Sequence, residues 1–186
     1  MPVQQIPDTI FTVVCGDSKE YGVRSFHWTL DRADLYKDKF FEAKILSDDI
    51  TRDLLGFLSY AAQPNMLWFE IYETETDASV GFISLSDMLR SFAEDRIISA
   101  TWHAVVWDAK AAPRRDIATR FIKWAFDTFR LHRLNAMIPL NRGGVARFAK
   151  RIGFQEEGIL RQARRYNGEW YGVLMLSILE TEVPNG

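Results

Sequence analysis

The chain has a single cysteine, Cys15, in 186 residues, so it can form no internal disulfide. A reducing compartment is the easier fit, and no neighbour in sequence would activate Cys15 as a nucleophile. Histidine is nearly as scarce: only His27, His103 and His132 are present, and no metal centre is expected from them. Long apolar runs are missing too. No stretch approaches the roughly 20 apolar residues of a helical membrane span. Near Met1 no apolar run follows a basic start, so neither a leader nor a membrane partner is expected. Neither sign of charge is in large excess. The net charge of −2 gives no global field favouring nucleic acid or anionic lipid. Finally, no glycine occurs between Gly81 and Gly143.

What is present is core material. Hydrophobic residues make up 47% and aromatics 13%, enough for one domain over residues 1–186 to fold without staples. We see no repeat, linker or low-complexity segment, and a cytoplasmic location is expected. Charge is unevenly spread: Arg142, Arg147, Lys150, Arg151, Arg161, Arg164 and Arg165 face only Glu156 and Glu157 over residues 142–165. This is a solvated basic face, or a surface for a phosphate or an acidic partner.

The organising stretch is Thr101 to Ala125. His103 to Trp107 is an apolar run suited to a buried strand. After a connector, Asp108 to Ala112, Pro113 and Asp116 are helix-start signals. Ile117, Ala118, Phe121, Ile122, Ala125, Phe126 and Phe129 then recur at helical spacing, opposite Arg120, Lys123, Asp127 and Arg130. Such a unit directs unpaired helix N–H groups past the strand end, where an anion would sit.

Upstream, strands are expected at Thr9–Cys15 and Gly22–Thr29, and a helix over Asp31–Phe41. A second helix is expected over Ser47–Ala62, capped by Ser47 with Asp48 and Asp49 in its first turn. Met66–Tyr72 and Ser79–Leu85 form an antiparallel hairpin across Glu73–Ala78. Asp87–Glu94 is a short helix or loop before a strand over Arg96–Trp107. Downstream come a strand at Leu134–Leu140, a turn at Asn141–Gly144, and a small helix through Val145, Phe148, Ala149 and Ile152 that Gly153 ends. Strand-like runs at Ile159–Tyr166 and Glu169–Leu179 flank Asn167-Gly168, the strongest short hairpin signal. The order of elements describes a mixed α+β layer fold.

The series Asn141…Arg151-Ile152-Gly153-Phe154…Glu157-Gly158…Arg161…Asn167-Gly168 resembles the C-terminal half of the GNAT (GCN5-related N-acetyltransferase) superfamily. Its match is closest to the branch that acetylates ribosomal-protein N-termini and small amines, and it extends over about residues 66–181. The resemblance implies a seven-stranded, mostly antiparallel sheet splayed into a V, with acetyl-CoA in the cleft and a small-molecule amine or protein N-terminus as acceptor. The backbone of Val105, Val106 and Trp107 would line the pantetheine arm. The N–H groups of Arg114, Arg115, Asp116, Ile117, Ala118 and Thr119 would hold the pyrophosphate, and Asn141 would contact the cofactor further along. An amine attacks the thioester directly, so the protein must accept a proton, polarise a carbonyl and supply an acid. His103 is the candidate base, or a satisfied core histidine. Tyr166 and Tyr171 are the candidate acids, or cross-strand packing. Glu70 is a further base acting through water. His27 and His132 are given no role.

Several working positions depart from the family pattern. Its phosphate loop is glycine-bearing, because phosphate must approach bare backbone, yet Pro113, Asp116 and Ala118 stand there. Like charges about 4 Å apart at an effective dielectric of about 20 repel by roughly 4 kcal/mol. A helix terminus returns only about 0.3–1 kcal/mol. Asp116 must therefore point away or be neutralised by Arg114 or Arg115. Ala149 stands where many members carry an acid tyrosine, and Gly172 where an aspartate is usual. The alternative to an acyltransferase is a catalytically silent GNAT-like module with a protein partner, for instance in a larger assembly such as a phage virion.

Overall fold

Alternation along the strands assigns successive side chains to opposite faces of one eight-stranded sheet. The computed structural model describes residues 7–14, 19–43, 46–91, 93–94, 96–107 and 114–183. Cys15, the 108–112 connector and Pro113 lie outside them. The strands are β1 (Thr9–Val14), β2 (Glu20–Phe26), β3 (Leu67–Glu73), β4 (Ser79–Ser91), β5 (Arg96–Val106), β6 (Arg133–Pro139), β7 (Gln155–Tyr166) and β8 (Glu169–Leu179). The helices are α1 (Leu30–Glu42), α2 (Leu54–Ala61), α3 (Arg114–Phe129) and α4 (Gly143–Arg151). The sheet order is β1-β2-β3-β4-β5-β6-β8-β7, one strand more than the family resemblance implies.

All described neighbours are antiparallel except β5 and β6. That parallel pair holds only over Ser99↔Arg133, Ala100↔Leu134 and Thr101↔Asn135, then parts. The split is the expected V.

The amphipathic stripe of α3 closes one face. Ile117, Ala118, Phe121, Ile122, Ala125 and Phe126 are buried against Phe69, Ile71, Ile83, Leu85, Trp102, Leu134 and Leu176. Fully burying one such side chain is worth about 1.5–3 kcal/mol. On the other face, α1 and α2 cover an aromatic cluster built on Phe26, Phe40, Phe57, Trp68 and Phe82, with Trp28 and Trp107 against it. Trp28 meets Phe57 and Trp68 edge-to-face at 5.1 and 5.3 Å, the geometry ring quadrupoles favour.

Three expectations are corrected. The helix expected over Ser47–Ala62 forms only at Leu54–Ala61, capped by Asp53, whose Oδ1 accepts from Gly56 N at 2.7 Å. Ser47 and Asp48 are not its cap, because Asp48 is bound to the distant β7–β8 turn. The residues expected as a short helix or loop, Asp87–Glu94, instead extend β4 to Ser91 across a bulge between Ser86 and Leu89. The turn expected at Asn141–Gly144 is a 3-10 turn, Leu140–Arg142, running directly into α4. The Asn-Gly hairpin forms as expected, with Asn167 at φ 51° and Gly168 at φ 82°. Positive φ at both central residues is what a tight two-residue turn requires.

Candidate active site

The site begins where β5 leaves β6. Along β5, Trp107 N donates to Val80 O at 3.1 Å, so the polar backbone of Trp107 points at β4. A Cβ built on Gly81 would lie 2.3 Å from Val105 O, so that carbonyl points the same way. Backbone direction alternates along a strand. Of the three residues expected to line the cleft, Val106 alone turns its N–H and C=O into the split. Val105 and Trp107 spend theirs on β4, and their side chains join the aromatic cluster.

A similar narrowing applies to α3. Its first turn, Arg114–Asp116, is exposed, and the opening amides of a helix have no intrahelical partner. Ala118 and Thr119 lie a turn further in, where their amides belong to the helix ladder. Ile117 and Ala118 turn their side chains into the core. The Thr119 hydroxyl donates to the carbonyls of Arg115 and Asp116, at 3.0 and 3.2 Å.

His103 lies on β5 just past the fork, on the α1/α2 face. Its Nε2 is 2.9 Å from Ser86 Oγ, and Ser86 Oγ is 3.0 Å from Asp87 Oδ2. Burial pushes the imidazole below its usual range; Asp87 pulls it up and the Arg164 guanidinium pushes it further down. The ring is therefore neutral at neutral pH, as a proton acceptor must be. Sequence reasoning missed Ser86 and Asp87, because strand register sets Ser86 diagonally across from His103, a bulge turns Asp87 back onto Ser86, and no local motif announces either.

Tyr166, Tyr171 and Asn141 meet at the tip of β7–β8, next to the end of β6. The two tyrosine rings are 6.2 Å apart. The Tyr171 hydroxyl donates to Glu169 Oε2 at 2.6 Å, which raises its pKa, and the Asn141 side chain also hydrogen-bonds the Tyr171 hydroxyl, which lowers it. Tyr166 is raised chiefly by burial, and the charges of Arg164 and Arg142 partly offset it. With its proton already committed to Glu169, Tyr171 is the poorer acid of the two. Tyr60 of α2, pushed up to about 12 by burial, also feels Arg164. The Arg164 side chain makes no hydrogen bond or ion pair among the described residues, yet its charge reaches His103 of β5, Tyr60 of α2 and Tyr166 of β7.

Two ties lace the N-terminal helices to the far side of the split. Asp48 accepts from Asn167 N at 2.9 Å and from Gly168 N at 2.8 Å, while its own N–H donates to Arg165 O. Arg142 Nη1 donates to Ala43 O at 3.2 Å. Glu70, the sequence's other candidate base, is buried on β3. Arg24 Nε donates to its Oε2 at 2.8 Å, and the Tyr36 hydroxyl lies 3.2 Å from Oε1. A buried carboxylate already bonded to a guanidinium and a hydroxyl serves as a structural anchor.

A mixed sheet parted at its parallel pair, with a helix opening beyond the parted strand, is the GNAT fold. The family model of the acetyltransferase (GNAT) domain matches residues 31–175, and the chain belongs to that family. It is 29% identical over 119 residues to the probable N-acetyltransferase YjcK of Bacillus subtilis (strain 168), a stretch covering 61% of this chain and 62% of the relative. The chain thus matches less than two thirds of that curated relative's length. Among solved structures it resembles Mycobacterium smegmatis RimJ in complex with CoA-disulfide (TM-score 0.74, 18% identity, 97% of this chain and 91% of that one). It also resembles the spermidine N-acetyltransferase of Vibrio cholerae in complex with CoA and spermine (TM-score 0.69, 16% identity, 88% and 97%). The ribosomal-protein-S5-alanine acetyltransferase of Vibrio fischeri is similar as well (TM-score 0.70, 16% identity, 94% and 99%). At these identities the likeness is one of fold.

Proposed function

We propose that the chain is an N-acetyltransferase that uses acetyl-CoA to acetylate the N-terminal amine of a polypeptide. The observation that carries this is the β5–β6 split, into which Val106 turns a backbone edge that no described strand pairs. The residues fit the cofactor: Val106 would pair with its extended arm, the first-turn amides Arg114, Arg115 and Asp116 with its diphosphate, and Asn141 with its further end. Acetyl-CoA supplies an acyl group activated as a thioester. His103 accepts the proton that the amine loses, and Tyr166 keeps a proton at neutral pH for the departing sulfur.

Charge supports a peptide over a polyamine. Acids around the hollow already have partners: Glu70 has Arg24, Asp48 the hairpin amides, Asp87 the Ser86 hydroxyl, Glu169 the Tyr171 hydroxyl. Of these only Glu70 is neutralised by a cationic partner, while Asp48, Asp87 and Glu169 keep their charge. The support for a peptide is the Arg164 guanidinium, whose charge reaches His103 and repels a polycation such as spermidine. A peptide N-terminus brings one positive charge and loses it before attack.

Calorimetric titration with CoA, followed by steady-state acetylation of spermidine and of an alanine-initiated peptide, tests both levels. Binding with kcat/KM higher for the peptide is expected. No binding at millimolar CoA would leave a catalytically silent GNAT module, the reading that the missing glycines favour. Preference for spermidine would overturn the acceptor assignment alone.

A further inference from the structure

We propose that Ser86 and Asp87 are positioning residues that hold His103 as its Nε2–H tautomer, so that Nδ1 carries the lone pair that accepts a proton. This rests on His103 being the proton acceptor of the function proposed above. The inference follows from counting protons. An ionised carboxylate only accepts hydrogen bonds, and a serine hydroxyl has one proton to give. Ser86 donates that proton to Asp87 Oδ2 across 3.0 Å. Ser86 Oγ can then meet Nε2, 2.9 Å away, only as an acceptor. Nε2 must therefore carry the ring proton. A neutral imidazole has a single N–H, which leaves Nδ1 bare.

The backbone is shaped for this arrangement. The β4–β5 register slips between Ser86 and Leu89, and Asp87 stands in the left-handed region at φ 50°. Aspartate enters that region more readily than most residues, and bulges beside active sites re-aim side chains. Here the bulge folds the exposed Asp87 carboxylate back onto the buried Ser86 instead of leaving it along the strand. When the acceptor's N–H bond breaks, the new bond forms at Nδ1. The resulting imidazolium keeps its Nε2–H on Ser86, with the Asp87 charge one hydroxyl away. The other charged group facing the ring is Arg164 of β7, which opposes protonation. The aspartate and the arginine thus set opposing limits on the basicity of His103.

Long-range 1H–15N spectra of the full-length labelled protein, without CoA or acceptor, read the tautomer directly. The His103 signals are assigned by their loss in His103→Gln. We expect a protonated Nε2 and an unprotonated Nδ1 in the native chain. Ser86→Ala should lose that preference and Ser86→Thr should keep it. Asp87→Asn should move the imidazole titration midpoint to lower pH, and the acidic limb of the kcat/KM profile should follow it. An Nδ1–H tautomer in the native chain overturns the proposal. So does an unchanged spectrum in Ser86→Ala or an unmoved midpoint in Asp87→Asn. Because the spectra need no turnover, the tautomer can hold while the transferase function fails, and CoA titration separates the two.

Discussion

The two faces of the sheet are built from the same strands and differ in kind. Beneath α3 the packing is dry, with Phe69, Ile71, Ile83, Leu85, Ala100 and Leu134 meeting the helix stripe. Beneath α1 and α2 lie the buried polar side chains: Glu70, Ser84, Ser86, Thr101 and Ser177. Pairing register places them there together, because Glu70↔Phe82, Trp68↔Ser84, Ser84↔His103, Ser86↔Thr101, Thr101↔Asn135 and Asn135↔Ser177 are direct partners. Burying a polar group costs free energy that a hydrocarbon would not. A face that accumulates them gives up some stability, and this one lies next to the split. One face holds the molecule together, and the other carries the proposed site.

Substitutions can break that contrast, the largest effect first. On the dry face, Phe121→Ala should cost about 3–5 kcal/mol in urea denaturation, since the ring is fully buried in close packing. On the polar face, His103→Gln should leave stability nearly unchanged and lower kcat/KM by roughly 100- to 10,000-fold, the range for loss of a general base. Arg164→Gln should move the acidic limb of the rate profile upward, because the guanidinium depresses the His103 pKa. That shift is opposite in sign to the one expected of Asp87→Asn. Asp48 tests the tie across the split. Its pKa is lowered by the Gly168 and Asn167 amides. The tie is therefore complete above the ordinary aspartate range and is lost as pH falls through the lowered value. Amide exchange at Asn167 and Gly168 should rise there, and Asp48→Asn should abolish that pH dependence. The smallest effect should come from Ser84→Ala. Its buried hydroxyl has no hydrogen-bond partner among the described residues, so removing it should leave stability unchanged or slightly raised.

How far the sequence could be read follows the same division. The α3 stripe and the Asn167-Gly168 turn are local signals, periodicity in one and backbone chirality in the other, and both were legible. So was the place of His103 on the central strand. What escaped was non-local. Asp48 followed by Asp49 after Ser47 looks like a helix start, yet that carboxylate caps a turn 120 residues away. Asp87 looked like the start of a connector, because a β-bulge leaves no pattern in composition. Val105, Val106 and Trp107 looked equivalent in the run of apolar residues. Only strand register separates Val106, facing the split, from the two that bond to β4. Arg164 was one of a crowd of arginines until the bulge between Leu160 and Arg164 set its direction.

Backbone amide shifts recorded during addition of CoA test the central claim most directly, because they report on the split without requiring an acceptor. If the parted strands hold the cofactor, Ala104, Val106, the first turn of α3 and Asn141 should move together along one saturating curve. Shifts absent at millimolar CoA, or confined to the arginine-rich surface of α4 and β7, would contradict it.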